Sequence, residues 1–584
     1  MAEWPINDTV SKVFPLYSRA NVGEIFPDPI SPLNASAGFQ HNLEPGWRDA
    51  FVACKVWNHD LYDATVEKNI LPAFGSYLYI NMSLMRLFGV RVPGMSPEAV
   101  DLQYFGDMPG IPSYDSEKRD FDENPEFEAT AGAWLADEVI GATGLPEYDA
   151  DRRDVERIRA DRPDMSTLTD MQLRERITSF DYILRPLFKR HIEASLKSGV
   201  GLGAIAQFAA AVGRPELALT LVGGIGDVDS TGPSKRMWSL SRAAQQPAVG
   251  AEFDRGVADL YERLGASTDP TVAAFRSDLD AFLGDWDFRG PAEWEIRAVT
   301  WGVKPELALA TIDRMRGVGD DEAPETKGVA RAAEREAAAT AIRELVAGDP
   351  EASAQFEAVL AAAALWLRGR ERARTTAAMV IHEIRLPARE LGRRGAESGA
   401  LDSLEQIYML FADELDTYLA DPSAFTELLR EREKSYLELF DVKPPFVVSG
   451  DVPPLETWEL RTGGAVEALT TGDSLVGVSG CTGTVRGIAR VLTTPDDPSA
   501  LEPGEILIAP ITDPSWTPLF VAASAVIVDV GAPFSHAAIV SREIGIPCIV
   551  SATDATKRIP NGALIEVDGT TGVVTVLENQ PVAQ

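Results

Sequence analysis

Histidine is scarce in this chain, five among 584 residues (His41, His59, His191, His382 and His536), and only His536 has a context that points to chemistry. It lies in DVGAPFSHAAIVSREIGIPCIVSA, where an apolar run ends near Asp529, a turn follows at Gly531 to Phe534, and a helical pattern begins at Ser535 or His536. An imidazole at that point meets unpaired backbone N–H groups and the positive end of the helix dipole. Such surroundings stabilise a phosphoryl group on the ring and disfavour imidazolium, keeping a nitrogen lone pair available for attack near neutral pH. Ser535 is placed to cap the helix and to orient ring or phosphate, and Gly531 permits close backbone approach. The same local features also describe a histidine that merely caps a helix.

A second group carries charge where apolar residues are expected. In the helical pattern after Glu351, Phe356, Leu360, Ala363 and Leu367 mark a buried stripe, and its next steps land on Arg370 and Arg374. A buried guanidinium needs an anion, either a carboxylate such as Glu371 or a phosphoryl group arriving on His536. The alternative is a helix that emerges into solvent there, with both arginines snorkelling outward. Arg374 is a clamp for a transferring phosphoryl group and a poor proton acceptor. His382, further along the same pattern, reads as structural or solvent-facing.

The elements that must position these groups change along the chain. Residues 1 to about 60 read as an irregular lead-in, with Pro15, Pro27, Pro29 and Pro32 preventing any long helix. From about 60 to 440 apolar residues recur at three- and four-residue spacing, as in Met165 to Ser198, Pro270 to Leu283, Lys327 to Ala347 and Glu351 to Arg385. Two Pro-Pro pairs in DVKPPFVVSGDVPPLETWELRT predict extended, semi-rigid backbone. After them come short β-branched runs separated by Gly, Pro, Asp and Asn turns, with one helical pattern from about Ser535 to Ile544. The expectation is a multidomain protein. A mainly α-helical substrate-binding domain (1–440) is followed by a proline-rich interdomain linker (441–462) and a small α+β domain of β/β/α type (463–578).

Composition narrows the partners. With 54 Lys plus Arg against 89 Asp plus Glu the formal charge is -35, a field that repels nucleic acid and anionic membranes. Cys54, Cys481 and Cys548 are far apart and form neither a disulfide framework nor a zinc cage, which fits a reducing cytoplasm. The N-terminus lacks a basic start and an apolar run, and the most apolar stretch, Gly199 to Gly213, is too short for a bilayer. No Asp/Glu cluster reads as a metal cage, and no GxxxxGK[ST] loop offers a nucleotide site.

The stretch Leu501 to Val576 resembles the swivelling phosphohistidine domain of phosphoenolpyruvate-utilising enzymes, as in phosphoenolpyruvate synthase, pyruvate phosphate dikinase and rifampicin phosphotransferase. The resemblance implies that His536 is phosphorylated and carried to a second site. Ala532-Pro533 stands where that family usually has two glycines, which implies a stiffer loop. The lead-in FPLYSRANVGEIFPDPISPLNAS resembles the start of the substrate domain of rifampicin phosphotransferase, as do Phe282 to Trp301 and Arg370 to Leu410. This implies substrate-domain roles for Arg19, Asn21 and Glu24, which line the groove or make ordinary loop contacts. Arg289 and Glu293 fall in the family's Gly-x-Arg-Gly-x-x-Glu pattern, and Arg370, Glu371 and Arg374 on its Arg-Glu-x-x-Lys. Glu371 and Glu293 are the carboxylates to consider as bases for an acceptor hydroxyl, or are simply exposed.

Neither a phosphoenolpyruvate barrel after this domain nor an ATP-grasp domain ahead of the body is recognised. The resemblance is therefore to the histidine-bearing subunit of two-component aryl phosphate synthases of the phenylphosphate and 4-methylbenzyl phosphate type. It implies a hetero-oligomer in which a separate ATP-grasp-type subunit, holding Mg2+ and ATP, phosphorylates His536 from the β-phosphate with release of AMP and phosphate. The acceptor is then a small phenolic or benzylic hydroxyl such as that of phenol or 4-cresol. The alternatives are a rifamycin-type antibiotic phosphotransferase split across two chains, and a phosphocarrier or regulatory protein that transfers nothing to a small molecule.

Overall fold

The computed structural model describes residues 4–579 except 39, 60–69, 106–107, 109, 462–465, 496–499, 514–515 and 532–534. The Ala532-Pro533 loop and the expected domain boundary at 463 lie outside the described residues. Two long helices organise the body, α1 (Asp181–Ala211) and α2 (Pro350–Ser398). Local sequence sets the limits of α2. The Asp349 side chain accepts hydrogen bonds from the N–H groups of Glu351 and Ala352, Pro350 opens the first turn, and Gly399 closes the helix at φ 76°. The helices pack antiparallel and close: a Cβ on Gly201 would stand 3.1 Å from the Ala363 Cα, and His191, earlier on α1, lies beside Arg370, later on α2. The pattern from Met165 to Ser198 is interrupted, because Thr169 and Gln172 form a capping box that starts a separate helix, Asp170–Thr178, ahead of α1.

The lead-in departs from expectation. Its prolines do break the chain near residues 15 to 32, but Gln40–Ala53 is a 14-residue helix running through Pro45. Leu43, Trp47, Ala50 and Phe51 fall at the spacing of one helix face and are buried in the main core, which is enough to hold the helix together past the proline. Upstream, Leu16–Ser18 is the central strand of a three-stranded antiparallel sheet, between Ile80–Asn81 and Val447–Ser449. The segment 441–462, expected as a semi-rigid interdomain linker, thus pairs with the body over part of its length. Val447–Ser449 pairs with the lead-in, Val442–Lys443 pairs with Glu459–Leu460, and the Trp458 ring packs 5.9 Å from Tyr77. Much of its backbone is extended as the prolines require, and it is tied back to the lead-in, as where the Gly450 N–H donates to the Pro15 carbonyl.

The C-terminal domain is built on eight strands: β1 (Ser474–Val476), β2 (Val478–Cys481), β3 (Thr484–Val491), β4 (Ile506–Ala509), β5 (Ala525–Val528), β6 (Cys548–Val550), β7 (Leu564–Asp568) and β8 (Val573–Glu578). Their order is β1-β8-β7-β3-β4-β5-β6-β2, parallel from β3 to β6 and antiparallel outside. The two edge strands β1 and β2 are separated in sequence only by Gly477, so the sheet curls round on itself. Alternation sorts the layers. Ile506, Ile508, Ala525, Ile527 and Ile549 face the antiparallel layer across one core. Leu507, Ala509, Val526, Val528, Cys548 and Val550 face a second core under α3 (His536–Ile544). This is the expected β/β/α layering.

The second core continues into the body. The helix Thr517–Ala522 contacts the body helices Gly232–Ala243 and Glu306–Arg316, and Trp516, Leu519 and Phe520 share a cluster with Met237, Trp238, Leu309 and Ile312. The small domain is therefore docked. No helix among the described residues is long and apolar enough to cross a membrane.

Candidate functional site

His536 is the first residue of α3, with Ser535 as N-cap accepting from the Ala538 N–H and Gly545 ending the helix at φ 84°. Its ring is held between two hydroxyls, Thr512 Oγ1 at 3.2 Å from Nδ1 and Thr517 Oγ1 at 3.1 Å from Nε2, with the Phe520 ring 5.9 Å away. The backbone N–H of His536 donates to Glu24 Oε2 at 3.2 Å. Burial first, then Arg374, Arg289 and Arg370, hold the His536 pKa well below that of free imidazole. The ring is thus neutral and nucleophilic near neutral pH.

Beside it, between the two domains, lies a cavity of about 290 Å³. Its polar lining includes Asn21, Glu24, His191, Arg370, Arg374 and Ser535, and Trp47, Phe105, Ile192 and Trp294 supply apolar and aromatic wall. Gly531 also lines it. Asn21 adopts φ 65° at the start of the short helix Val22–Ile25, the turn that brings Glu24 back toward the small domain. Arg370 and Arg374 do continue the buried stripe of α2. Arg370 Nη1 pairs with Glu371 Oε1 at 2.8 Å, a local contact that engages one of its nitrogens. Arg374 is only 3% exposed, forms no hydrogen bond or ion pair among the described residues, and leaves its Nε buried without a partner. A guanidinium in that position is a site for an incoming anion.

The remaining expected residues divide by what they touch. Arg289 donates to Glu293 Oε1 at 2.6 Å and to Thr375 Oγ1 at 2.8 Å, all buried, so Glu293 is spent on an arginine; its other oxygen has no partner. Asp513, next to Thr512, accepts from the Ala292 N–H, which places the Arg289–Glu293 pair near the histidine. Both candidate carboxylates are buried, which overturns the exposed alternative for Glu371 and Glu293. Arg19 does not line the cavity. Its guanidinium donates to the carbonyls of Leu78, Phe26 and Pro27 and stacks near Tyr77, so it braces the lead-in. His382 is buried near Asp287 and Arg385, which removes the solvent-facing alternative.

Sequence reasoning missed His191, Thr512 and Thr517. His191 lines the cavity from α1 with Nδ1 unpartnered, and burial followed by Arg370 and Arg374 lowers its pKa to about 3. The two threonines lie in the ITDPSWTP segment, within the stretch that signals the phosphohistidine domain, and only the fold brings them to the ring. Glu24 is pushed up to about 7 by burial, against the lowering effects of the His536 N–H, Arg370 and Arg374. Among the described residues no group of three or more His, Cys, Asp or Glu is arranged to hold a metal ion.

Comparison with known proteins agrees with this geometry in two segments. Residues 191–371 match the family described as rifampicin phosphotransferase fourth domain, and residues 501–572 match the PEP-utilising enzyme mobile domain. An uncharacterized protein of Mycobacterium tuberculosis strain H37Rv is 29% identical over 573 residues, 97% of this chain and 62% of its own length. Rifampicin phosphotransferases of Streptomyces sviceus and Bacillus cereus are 34% and 33% identical over 184 and 181 residues, covering 32% and 31% of this chain and 20% of each enzyme. This chain thus spans less than two thirds of the length of these relatives. It carries rifampicin phosphotransferase-like and PEP-utilising-enzyme domains, and its homologues include phosphotransferases.

Proposed function

We propose that the protein is a phosphotransferase in which His536 accepts a phosphoryl group and passes it to the hydroxyl of a small aromatic acceptor held in the interdomain cavity. The observation that carries the reading is Arg374, a buried cation without a hydrogen-bonded partner among the described residues, on the cavity wall and close enough to depress the His536 pKa. Phosphoryl transfer asks mainly for positioning and charge neutralisation, and Arg370 with Arg374 supplies two guanidinium groups for the phosphoryl oxygens. Thr512 and Thr517 fix the ring. The cavity, about 290 Å³, stands at the lower end of pockets that take drug-sized ligands, which favours a phenol or benzyl alcohol over a polycyclic acceptor.

The donor is ATP, bound with Mg2+ on a separate ATP-binding subunit. His536 is 2% exposed in the docked arrangement and cannot meet a nucleotide on another polypeptide there, so the domain must leave the body to be loaded. A rifamycin acceptor is the second reading, favoured by the likeness of residues 191–371 to the rifampicin enzyme. A panel of acceptors added to the phosphorylated protein decides between them. Formation of an aryl phosphate from phenol or 4-cresol supports the small-acceptor reading, and transfer to rifamycin alone overturns it.

A further inference from the structure

A hydroxyl that attacks phosphorus must lose a proton, and the two carboxylates expected to take it, Glu371 and Glu293, are each engaged by an arginine. The cavity itself presents two carboxylates among its lining residues, Glu24 and Asp529. Asp529 is occupied by the helix start at residue 555, with Oδ1 accepting from the Thr556 N–H and Oδ2 from the Thr556 hydroxyl. Glu24 differs in geometry. Its Oε2 accepts the N-terminal N–H of α3 at 3.2 Å, so the carboxylate is pinned at the histidine, and its Oε1 accepts no hydrogen bond among the described residues.

We propose that Glu24 is the residue that takes the proton from the acceptor hydroxyl, its Oε2 tethered to the His536 backbone and its Oε1 turned to the bound acceptor. This rests on the transfer reading above. The competing cavity group, His191, is the weaker base: its pKa is about 3 against about 7 for Glu24, roughly four decades in proton affinity. A base near the working pH combines a deprotonated resting form with useful proton affinity. The step balances as follows. The acceptor oxygen forms its bond to phosphorus as the P–Nε2 bond breaks; the electron pair stays on Nε2. With its proton on Nδ1, donated to Thr512 Oγ1, the ring leaves as neutral imidazole. The hydroxyl proton goes to Glu24, which releases it to water when the domains part.

The test is Glu24→Gln and Glu24→Ala, loaded on His536 by the ATP-binding partner and mixed with acceptors of graded acidity from benzyl alcohol through phenol to 4-nitrophenol. Intact mass first establishes that both variants accept the phosphoryl group like the wild type. Glu24→Gln keeps an acceptor for the His536 N–H, so docking is retained. The expected result is a loss of 10²-fold or more in single-turnover transfer to phenol, shrinking to under about 5-fold for 4-nitrophenol, which is already ionised near neutral pH. An equal loss across the series makes Glu24 a docking residue and overturns the proposal, as does no loss at all. If the loaded wild type transfers to none of these acceptors, the transfer reading itself has failed, an outcome distinct from either.

Discussion

Replacing Arg374 by methionine separates a residue kept for chemistry from one kept for stability. The guanidinium is buried, forms no hydrogen bond or ion pair among the described residues, and lines the cavity in which the proposed reading puts the transferring phosphoryl group. Without a phosphoryl group it is a buried charge with no hydrogen-bonded counterion among the described residues, Glu24 and Glu293 acting on it only at longer range, and an apolar side chain of similar length removes the desolvation penalty. The exchange is expected to leave stability unchanged or raise it by about 1 to 4 kcal/mol, the range seen when buried ionic groups give way to packed apolar ones. The transfer step should move the other way. Loss of one preorganised donor to developing charge lowers a rate by about 10² to 10³, or about 3 to 4 kcal/mol of transition-state stabilisation. Single-turnover decay of phosphorylated His536 after acceptor addition reads the second quantity, and urea midpoints of the unphosphorylated protein read the first. A destabilisation of more than about 2 kcal/mol with transfer intact would show that Arg374 is paired structurally and would refute the reasoning.

Thr512→Val removes the hydroxyl 3.2 Å from Nδ1, and slower decay of the phosphorylated protein, by about fivefold for one lost hydrogen bond of about 1 kcal/mol, is expected while the variant still folds. His191→Gln tests the buried imidazole through pH. The unfolded chain takes up a proton on this histidine below about 6.5 and the folded protein only near 3, so wild-type stability falls as the pH drops through that window. The variant escapes that loss, and its urea midpoint relative to wild type should improve between pH 6.5 and 5, by about 1.4 kcal/mol per unit; parallel curves refute the assignment. Gly201→Leu forces α1 and α2 apart where a Cβ already meets the Ala363 backbone at 3.1 Å, and a loss of about 1 to 3 kcal/mol in thermal unfolding is expected.

The parts of the site that follow from local periodicity were legible in the sequence. The helical pattern from Ser535 to Ile544 matches the span of α3, and the helical step from Leu367 leads to Arg370 and Arg374. Glu24 and His191 were not legible as a pair, because the cavity joins residues near positions 24, 191, 370 and 535 and nothing local records that meeting. Composition left one element undecided and misled on another. The prolines of 441–462 mark extended backbone, and the same residues suit an edge strand and a free tether, so only the pairing of Val447–Ser449 with Leu16–Ser18 decides between them. Around Pro45 the apolar face of Gln40–Ala53 outweighs one missing hydrogen bond.

The central claim is that His536 carries a phosphoryl group destined for a small acceptor. Its most direct test is the intact mass of wild type and His536→Ala after incubation with ATP, Mg2+ and the ATP-binding partner, before and after 4-cresol is added. The account predicts one acid-labile phosphoryl group on the wild type alone, lost on addition of the cresol as cresyl phosphate appears. Equal masses for the two proteins, with the partner shown to be active on another carrier, would contradict it.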